Sequence, residues 1–292
     1  MPAREDRGRG VARIRRARRG LPDNVRGLGW VSFANDLASE LVYPILPLFL
    51  TLTLGAPVAV IGLIEGIAEG AAVGLRGAAG YLSDRVGRAR RKPWIVFGYG
   101  ASALARPLLA LAPAWGWVLG ARLVDRLGKA ARTAPRDALI RDSTPPRLLG
   151  AAFGYHRAMD TAGAVIGPLV ALAALALGAS LRTVLLLAVI PGIATLIVLV
   201  GVREMPKRAP AETTIAAAEV ERLPHDFWVI LGIWTIFSLG NSSDVFLILR
   251  AYDLGLTTTL TILAYVVYNF VYPSSHGRSA CSPIDSRARW SS

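Results

Sequence analysis

The chain has 292 residues, 53% of them hydrophobic and 18% charged, and a formal net charge of +13. That balance is too apolar for one or two soluble domains of ordinary composition, and it leaves a polytopic membrane protein as the class. A basic surplus also suits nucleic acid, and Arg13, Arg15, Arg16, Arg18 and Arg19 form a tract able to meet phosphates. The placement of charge along the rest of the chain argues for a bilayer instead, and no nucleic-acid partner is expected.

In chain order, residues 1–27 read as a basic arm. Apolar stretches close to the ~20 residues that cross ~30 Å of hydrocarbon then predict six helices, at Leu28–Leu52, Val58–Leu82, Trp94–Leu111, Trp115–Ala134, Ala151–Leu177 and Leu181–Gly201. A polar linker over 203–226 follows, punctuated by Pro206, Pro210 and Pro224. Two further helices are predicted at Phe227–Leu249 and Leu256–Tyr272, before a polar tail over 273–292. The fold class is therefore all-α, with 28–202 forming a first group of six helices and 227–272 the start of a second.

Arg and Lys alternate by side. The arm, the Arg85–Lys92 loop, the Arg126–Arg147 segment and the Arg203–Arg222 stretch are basic. Between them, Thr53–Pro57, Ala112–Ala114 and Gly178–Arg182 carry Arg182 alone. Basic connections stay in the cytoplasm, so the N-terminus is expected inside, in a multi-pass protein of the plasma membrane. The first apolar stretch is too long for the core of a secretory signal and contains acids, so no cleavable signal is expected. Cys281, the one cysteine, rules out an intrachain disulfide.

The loop after the second helix carries the strongest motif. Gly80, Leu82, Ser83, Asp84, Arg85, Gly87 and Arg88 fall in the register G-x-L-[SA]-D-R-x-G-R-[RK], which resembles the loop between helices two and three of major facilitator superfamily (MFS) transporters. In the fifth helix, Gly163, Gly167 and Pro168 resemble the G-x-x-x-G-P element of that superfamily's drug:proton antiporters, a kink flanked by small residues. In the fourth, Arg122, Gly128 and Ala130 partly resemble R-x-x-Q-G-x-G-x-A, with Asp125 and Arg126 replacing Gln and Gly. The resemblance implies a bundle of two six-helix halves with alternating access, working on a small molecule and coupled to protons. Ser32-Phe33-Ala34-Asn35 and Ser238-Leu239-Gly240-Asn241, early in the first helices of the two groups, fit such a repeat.

Charges inside the predicted spans mark the candidate path. A carboxylate or guanidinium at the bilayer centre costs about 2.5–3.5 kcal/mol on insertion scales, so it persists only where it faces a cavity or a partner. Asp36 and Glu40 share one face of the first helix, beside Asn35 and Ser39; Glu65 and Glu69 repeat that spacing on the second, with Arg76 on their face. Asp36 and Glu40 have no basic residue nearby on their own helix and are the expected proton carriers. Glu65 and Glu69 serve either the path or a structural pairing with Arg76, and Arg122 either couples protons or pairs with Asp125. Asp244 of the seventh helix is placed on the path with Asn35. His156, Arg157 and Asp160 open the fifth helix, His156 being read as structural. The spacing of Gly62, Gly66, Gly70 and Gly74 predicts close packing of the second helix against a neighbour.

No zinc-protease, phosphate-loop or nucleophile-elbow motif is present. No enzyme activity, cofactor or metal is expected; the expected partners are the bilayer, a small-molecule substrate and protons. The leading reading is proton-coupled export of a small organic molecule. The alternatives are a membrane protein that does not transport, since eight helices fall short of twelve, and a membrane anchor with a nucleic-acid-binding arm. The abrupt change after Tyr272 leads to one more expectation, that residues 273–292 are a disordered, out-of-frame tail and that the natural frame would supply a second Gly-x-Leu-Ser-Asp-Arg.

Overall fold

Long apolar runs punctuated by Gly and Pro leave the backbone one economical way to satisfy its polar groups away from water, which is the helix. The computed structural model describes residues 20–85, 91–205, 225–240 and 243–276, with side chains at 20–76, 91–205, 225–237 and 243–268. Among these residues every regular element is helical. We number them α1 (Asp23–Val42, continued by Leu46–Leu48 and the π-helical turn Phe49–Thr53), α2 (Val58–Arg85), α3 (Arg91–Ala110), α4 (Trp115–Asp142), α5 (Leu149–Ala176) and α6 (Leu181–Leu187 continued by Val189–Val200). After the linker come α7 (His225–Gly240), α8 (Asp244–Asp253) and α9 (Thr258–His276).

The departures from the predicted spans have local causes. The first span breaks at Tyr43–Ile45 because Pro44 and Pro47 lack the N–H that would answer the carbonyls four residues earlier. The predicted seventh helix is two helices, α7 and α8, with Ser243 capping α8 by accepting the Val245 N–H at 3.4 Å. The described side chains of α7, from His225 to Phe237, are all exposed. α9 runs to His276, past the expected end at Tyr272. By length and apolarity four described segments suffice to cross a membrane: Asp23–Thr53, Val58–Arg76, Pro146–Ala176 and Leu181–Val200. α3 and α4 are long enough at 20 and 28 residues, but Arg106 in the one and the charges between Arg122 and Arg132 in the other lower their apolarity.

Two apolar cores sandwich a polar layer. One core gathers Ala38, Leu41, Ile45, Phe49, Leu109, Val118, Ala171 and Val184, and Ile248 and Tyr265 reach it from α8 and α9. The other gathers Val25, Leu28, Ile95, Tyr99, Leu139, Ile140, Ala152 and Leu199. α1, α3, α4, α5 and α6 each contribute to both, so the residues between those contributions lie at mid-depth in the bundle. The outer faces are apolar as well: Leu186, Ile190, Ile193, Ile197 and Val200 form an exposed stripe on α6, suited to lipid.

Glycines set the closest helix contacts. A Cβ on Gly163 would meet Phe33 O at 2.5 Å and Leu37 N at 2.9 Å, and one on Gly167 would meet Leu37 O at 2.8 Å, so α5 lies directly on the backbone of α1. Gly98 and Gly128 do the same for α3 and α4, each within 2.7 Å of the other's carbonyl oxygen when given a Cβ. The expected stack on α2 is corrected: a Cβ on Gly66, Gly70 or Gly74 would meet nothing within 4 Å, and one on Gly62 meets only the Phe246 ring, at 3.1 Å. Regular spacing puts glycines on one face but does not supply the neighbour. Gly163→Val is accordingly expected to destabilise the purified protein by about 1–3 kcal/mol, the usual cost of overpacking. Gly66→Val is expected to leave the thermal midpoint in detergent within error, and equal losses from both would contradict the packing.

Candidate functional site

Asn35 is the hub of the polar layer on α1. Arg106, projecting from α3, donates through Nη2 to Asn35 O at 3.1 Å, Asn35 Oδ1 at 2.8 Å and Ser39 Oγ at 3.3 Å. Both residues are buried, Asn35 at 2% and Arg106 at 3% exposure. The other terminal nitrogen of Arg106, Nη1, has no hydrogen-bond partner. Gly192 of α6 leaves it room, since a Cβ there would lie 3.0 Å from it.

On the adjoining seam, α4 faces α2 through a ladder of ion pairs. Arg122 binds Glu65 by Nε at 2.9 Å and by Nη2 at 2.6 and 2.7 Å, a forked contact that uses the planar geometry of both groups. Arg126 lies 3.7 Å from Glu65 and 3.5 Å from Glu69, and Arg76 reaches Glu69 at 2.5 Å. Glu65 thus pairs with α4 and not with Arg76, while Arg122 approaches Asp125 only to 3.9 Å. Arg132 turns to α3, donating to Ser102 Oγ at 2.6 Å and Gly98 O at 3.1 Å, with its guanidinium 4.4 Å from the centre of the Tyr99 ring.

These groups border a cavity of about 50 Å³ lined by Ser39, Glu40, Arg106, Arg122, Asp125 and Lys129 among others. That space suits a few water molecules. Asp36 and Glu40 occupy the edge of the layer where α5 crosses α1, their Cβ atoms 3.2 and 3.0 Å from the Cβ positions that Gly163 and Gly167 lack. Asp36 accepts from Asn35 Nδ2 at 3.1 Å and Glu40 from the Tyr265 hydroxyl of α9 at 3.0 Å. Among the described residues neither carboxylate has a basic group within ion-pair distance. Tyr265 stacks on Tyr43 at 5.7 Å and sits 6.4 Å from Tyr268, whose hydroxyl donates to Asp244 at 3.3 Å. Asp244 therefore joins the site through tyrosines, without touching the basic cluster.

A second polar group lies toward the Val25–Leu28 core. Ser32 donates to Asp160, which also lies 3.5 Å from His156 Nδ1 and 3.7 Å from Arg157. Farther along, Arg91 and Asp142 form a buried pair at 2.5 Å, and the Glu204 carboxylate accepts the N–H groups of Arg91 and Lys92 at 3.0 and 2.7 Å, capping α3. Gly80, Asp84 and Arg85 fall in the last turns of α2, where side chains are outside the described residues, as are Gly87 and Arg88 entirely. Of the Ser238–Asn241 half of the expected repeat, Ser238, Leu239 and Gly240 fall in the last turn of α7 with side chains outside the described residues, and Asn241 lies outside them entirely.

Arg106, Lys129, Arg132 and Tyr265 belong to the site and were missed. Arg106 had a signal, being a charge within an apolar span. Arg122, Arg126, Lys129 and Arg132 had another, since steps of four, three and three form one helical stripe. Tyr265 had none, for only folding brings it 225 positions back to Glu40.

Removing one partner of the forked pair strands the other in the bundle. Glu65→Gln or Arg122→Gln alone is expected to cost about 3–5 kcal/mol, and the double variant much less than the sum. Thermal unfolding of the four proteins measures the coupling, and strictly additive losses would mean that Arg122 is held by other groups.

Comparison with known proteins fits this arrangement. The Major Facilitator Superfamily sequence profile matches residues 28–278. An uncharacterized MFS-type transporter of Methanocaldococcus jannaschii is 38% identical over 261 residues, covering 87% of this chain and 64% of that protein. The multidrug resistance protein MdtH of Photorhabdus laumondii is 34% identical over 130 residues, 44% of this chain and 31% of its own length. The crystal structure of peptide transporter POT in complex with sulfate shares the fold at a TM-score of 0.55 and 19% identity, over 85% of this chain and 52% of that one. The chain thus spans less than two thirds of each of these relatives. With a profile match over most of its length and an all-helical, multi-pass architecture, the chain belongs to the major facilitator superfamily, whose members are membrane transporters.

Proposed function

We propose that the chain is the substrate- and proton-binding part of a secondary transporter that exports a small organic molecule in exchange for protons, with Asp36 carrying the proton and Glu40 assisting it. The observation that carries this reading is the contrast among the four carboxylates. Glu65 and Glu69 are held by arginines, whereas Asp36 and Glu40 have only the neutral donors Asn35 and Tyr265. A carboxylate paired with a guanidinium already has its charge answered, whereas Asp36 and Glu40, with neutral hydrogen-bond partners, are left to exchange a proton. Export is the direction favoured by the Gly163–Pro168 element and by the partial similarity to a multidrug resistance protein.

Proteoliposomes holding a pH-sensitive dye, challenged with a panel of small organic compounds, test the coupling. A compound that drives proton flux through the parent protein is expected to drive none through Asp36→Asn, which keeps the shape and loses the proton. Equal flux through that variant would remove Asp36 from the role.

The proposed orientation in the plasma membrane puts the N-terminus, the loop after α2 and the linker in the cytoplasm. In a Cys281→Ser background, cysteines at Gly55 or Ala114 are expected to react with an impermeant maleimide added outside intact cells. A cysteine at Ser83 is expected to react only after permeabilisation, and external labelling there would invert the topology.

A further inference from the structure

We infer that Arg106 is a positioning residue for the proton step: it fixes the amide of Asn35 so that Asn35 holds Oδ1 of Asp36, leaving Oδ2 as the oxygen that takes the proton. The inference rests on the proposed proton role of Asp36. It adds the two residues that orient the carboxylate, one of them on another helix.

A guanidinium has five N–H donors and no acceptor, whereas a side-chain amide accepts at one end and donates at the other. The orientation of the amide is therefore settled by its partners. Arg106 presents Nη2 to Asn35 Oδ1 at 2.8 Å and to the carbonyl oxygen of the same residue at 3.1 Å, which pins the amide against its own backbone. Turning the amide over would set Nδ2 against Nη2, two donors facing each other where both residues, at 2% and 3% exposure, are kept from water. A buried donor left that way costs its full desolvation penalty. The amide oxygen must face α3, so Nδ2 is left for the next residue along, whose Oδ1 it meets at 3.1 Å. The guanidinium is itself held in place, by Ser39 Oγ at 3.3 Å and by α6, where the Cβ that Gly192 lacks would fall 3.0 Å from Nη1.

This arrangement does not depend on the charge of Asp36. When the carboxylate is ionised, Oδ1 accepts from Asn35. When it is protonated, Asn35 Oδ1 is still committed to Arg106 and Nδ2 still occupies Asp36 Oδ1, so the O–H belongs on Oδ2. Uptake moves one proton from a hydronium to Oδ2 and leaves water, and release reverses it. Among the described residues Oδ2 has no hydrogen-bond partner, and the side chain is half-buried. The charges that act on Asp36 through space are Glu40 on α1, Arg106 on α3, Lys129 and Arg132 on α4, and Asp160 on α5. None of them forms an ion pair with it among the described residues, so the one fixed contact of this carboxylate is the one that Arg106 sets.

The chain holds four asparagines, Asn24, Asn35, Asn241 and Asn269, so NMR of the purified chain with isotope-labelled asparagine resolves few side-chain amides, and Asn35→Ser identifies that of Asn35. In the parent, one Nδ2 proton of Asn35 is expected downfield of its mate and slow to exchange with solvent. Asp36→Ala is expected to abolish that difference. Arg106→Met, which removes the donor, is expected to abolish it too, while Arg106→Lys, again a donor without an acceptor, preserves it. Asn24, whose Nδ2 donates to Ser143 Oγ at 3.0 Å and to Arg203 O at 2.8 Å, reports on the fold in each variant. Should Arg106→Met lose the Asn24 signal and with it the fold, Arg106→Gln, whose amide offers either end to Asn35, replaces it and is expected to weaken the difference. An Asn35 signal unchanged in Asp36→Ala, unchanged in the folded Arg106 variant without a fixed donor, or lost as fully in a folded Arg106→Lys would each overturn the inference. In proteoliposomes, Arg106→Gln is expected to lower the maximal proton flux about ten-fold, the size of one hydrogen bond to a charged group, with the half-saturating concentration of the driving compound unchanged. A rise in that concentration at unchanged maximal flux would overturn the positioning role and put Arg106 in substrate binding. NMR needs no transport, so the expected Asn35 signals in a protein without proton flux would sink the coupling reading and leave the positioning standing. Flux lost in Asp36→Asn but kept in Arg106→Gln would do the reverse.

Discussion

Carrying a dense layer of charge through the middle of an apolar bundle is the constraint on which the rest of the molecule depends. Each guanidinium or carboxylate at that depth must find a partner of opposite charge, a fixed dipole or water. The forked contact between Arg122 and Glu65 meets that requirement most completely, and it joins α2 to α4 as it does so. Arg126 and Arg76 extend it along α2, while Arg106, through Nη2 alone, and Arg132 donate to oxygens of α1 and α3. The polar layer is therefore as much a fastening between helices as the two apolar cores that enclose it.

Close backbone approach makes those contacts reachable. An Arg side chain spans a fixed length, and Arg132 meets Gly98 O and Ser102 because Gly98 and Gly128 bring α3 and α4 to backbone contact. Gly163 and Gly167 similarly seat α5 on α1 at the residues bearing Asp36 and Glu40. The kink element recognised in the sequence thus has a definite local task. It removes side chains where two carboxylates need to lie along the seam.

Much of this was legible beforehand because it follows from single helices. Lengths of apolar runs placed the spans, and the four-residue step from Asp36 to Glu40 placed both on one face. What could not be read was partner choice. Glu65 lies on the same face as Arg76, yet it binds Arg122, because a neighbouring helix offers a fork at closer range than three turns of its own. The glycine stripe of α2 failed for the same reason, since periodicity describes a face and says nothing of what meets it. The break in the first span was readable in principle, at Pro44 and Pro47, but hydropathy alone runs straight through it.

That break divides α1 into two mechanical parts. Below it, Phe33, Leu37 and Leu41 rest on the glycines of α5, so the turn carrying Asp36 and Glu40 is clamped. Above it, Pro44 leaves the Glu40 carbonyl without its helical donor, and the segment from Leu46 to Thr53 is joined to the clamped part by few backbone bonds, among them Ile45 N–H to Val42 O at 3.1 Å. The outer segment has its own anchorage, since Leu46, Leu48, Phe49 and Leu50 are buried in an apolar core, so the break redirects the helix without loosening it. The turn bearing Asp36 and Glu40 and the segment beyond Pro44 are thus fixed by separate sets of contacts, although one helix carries both.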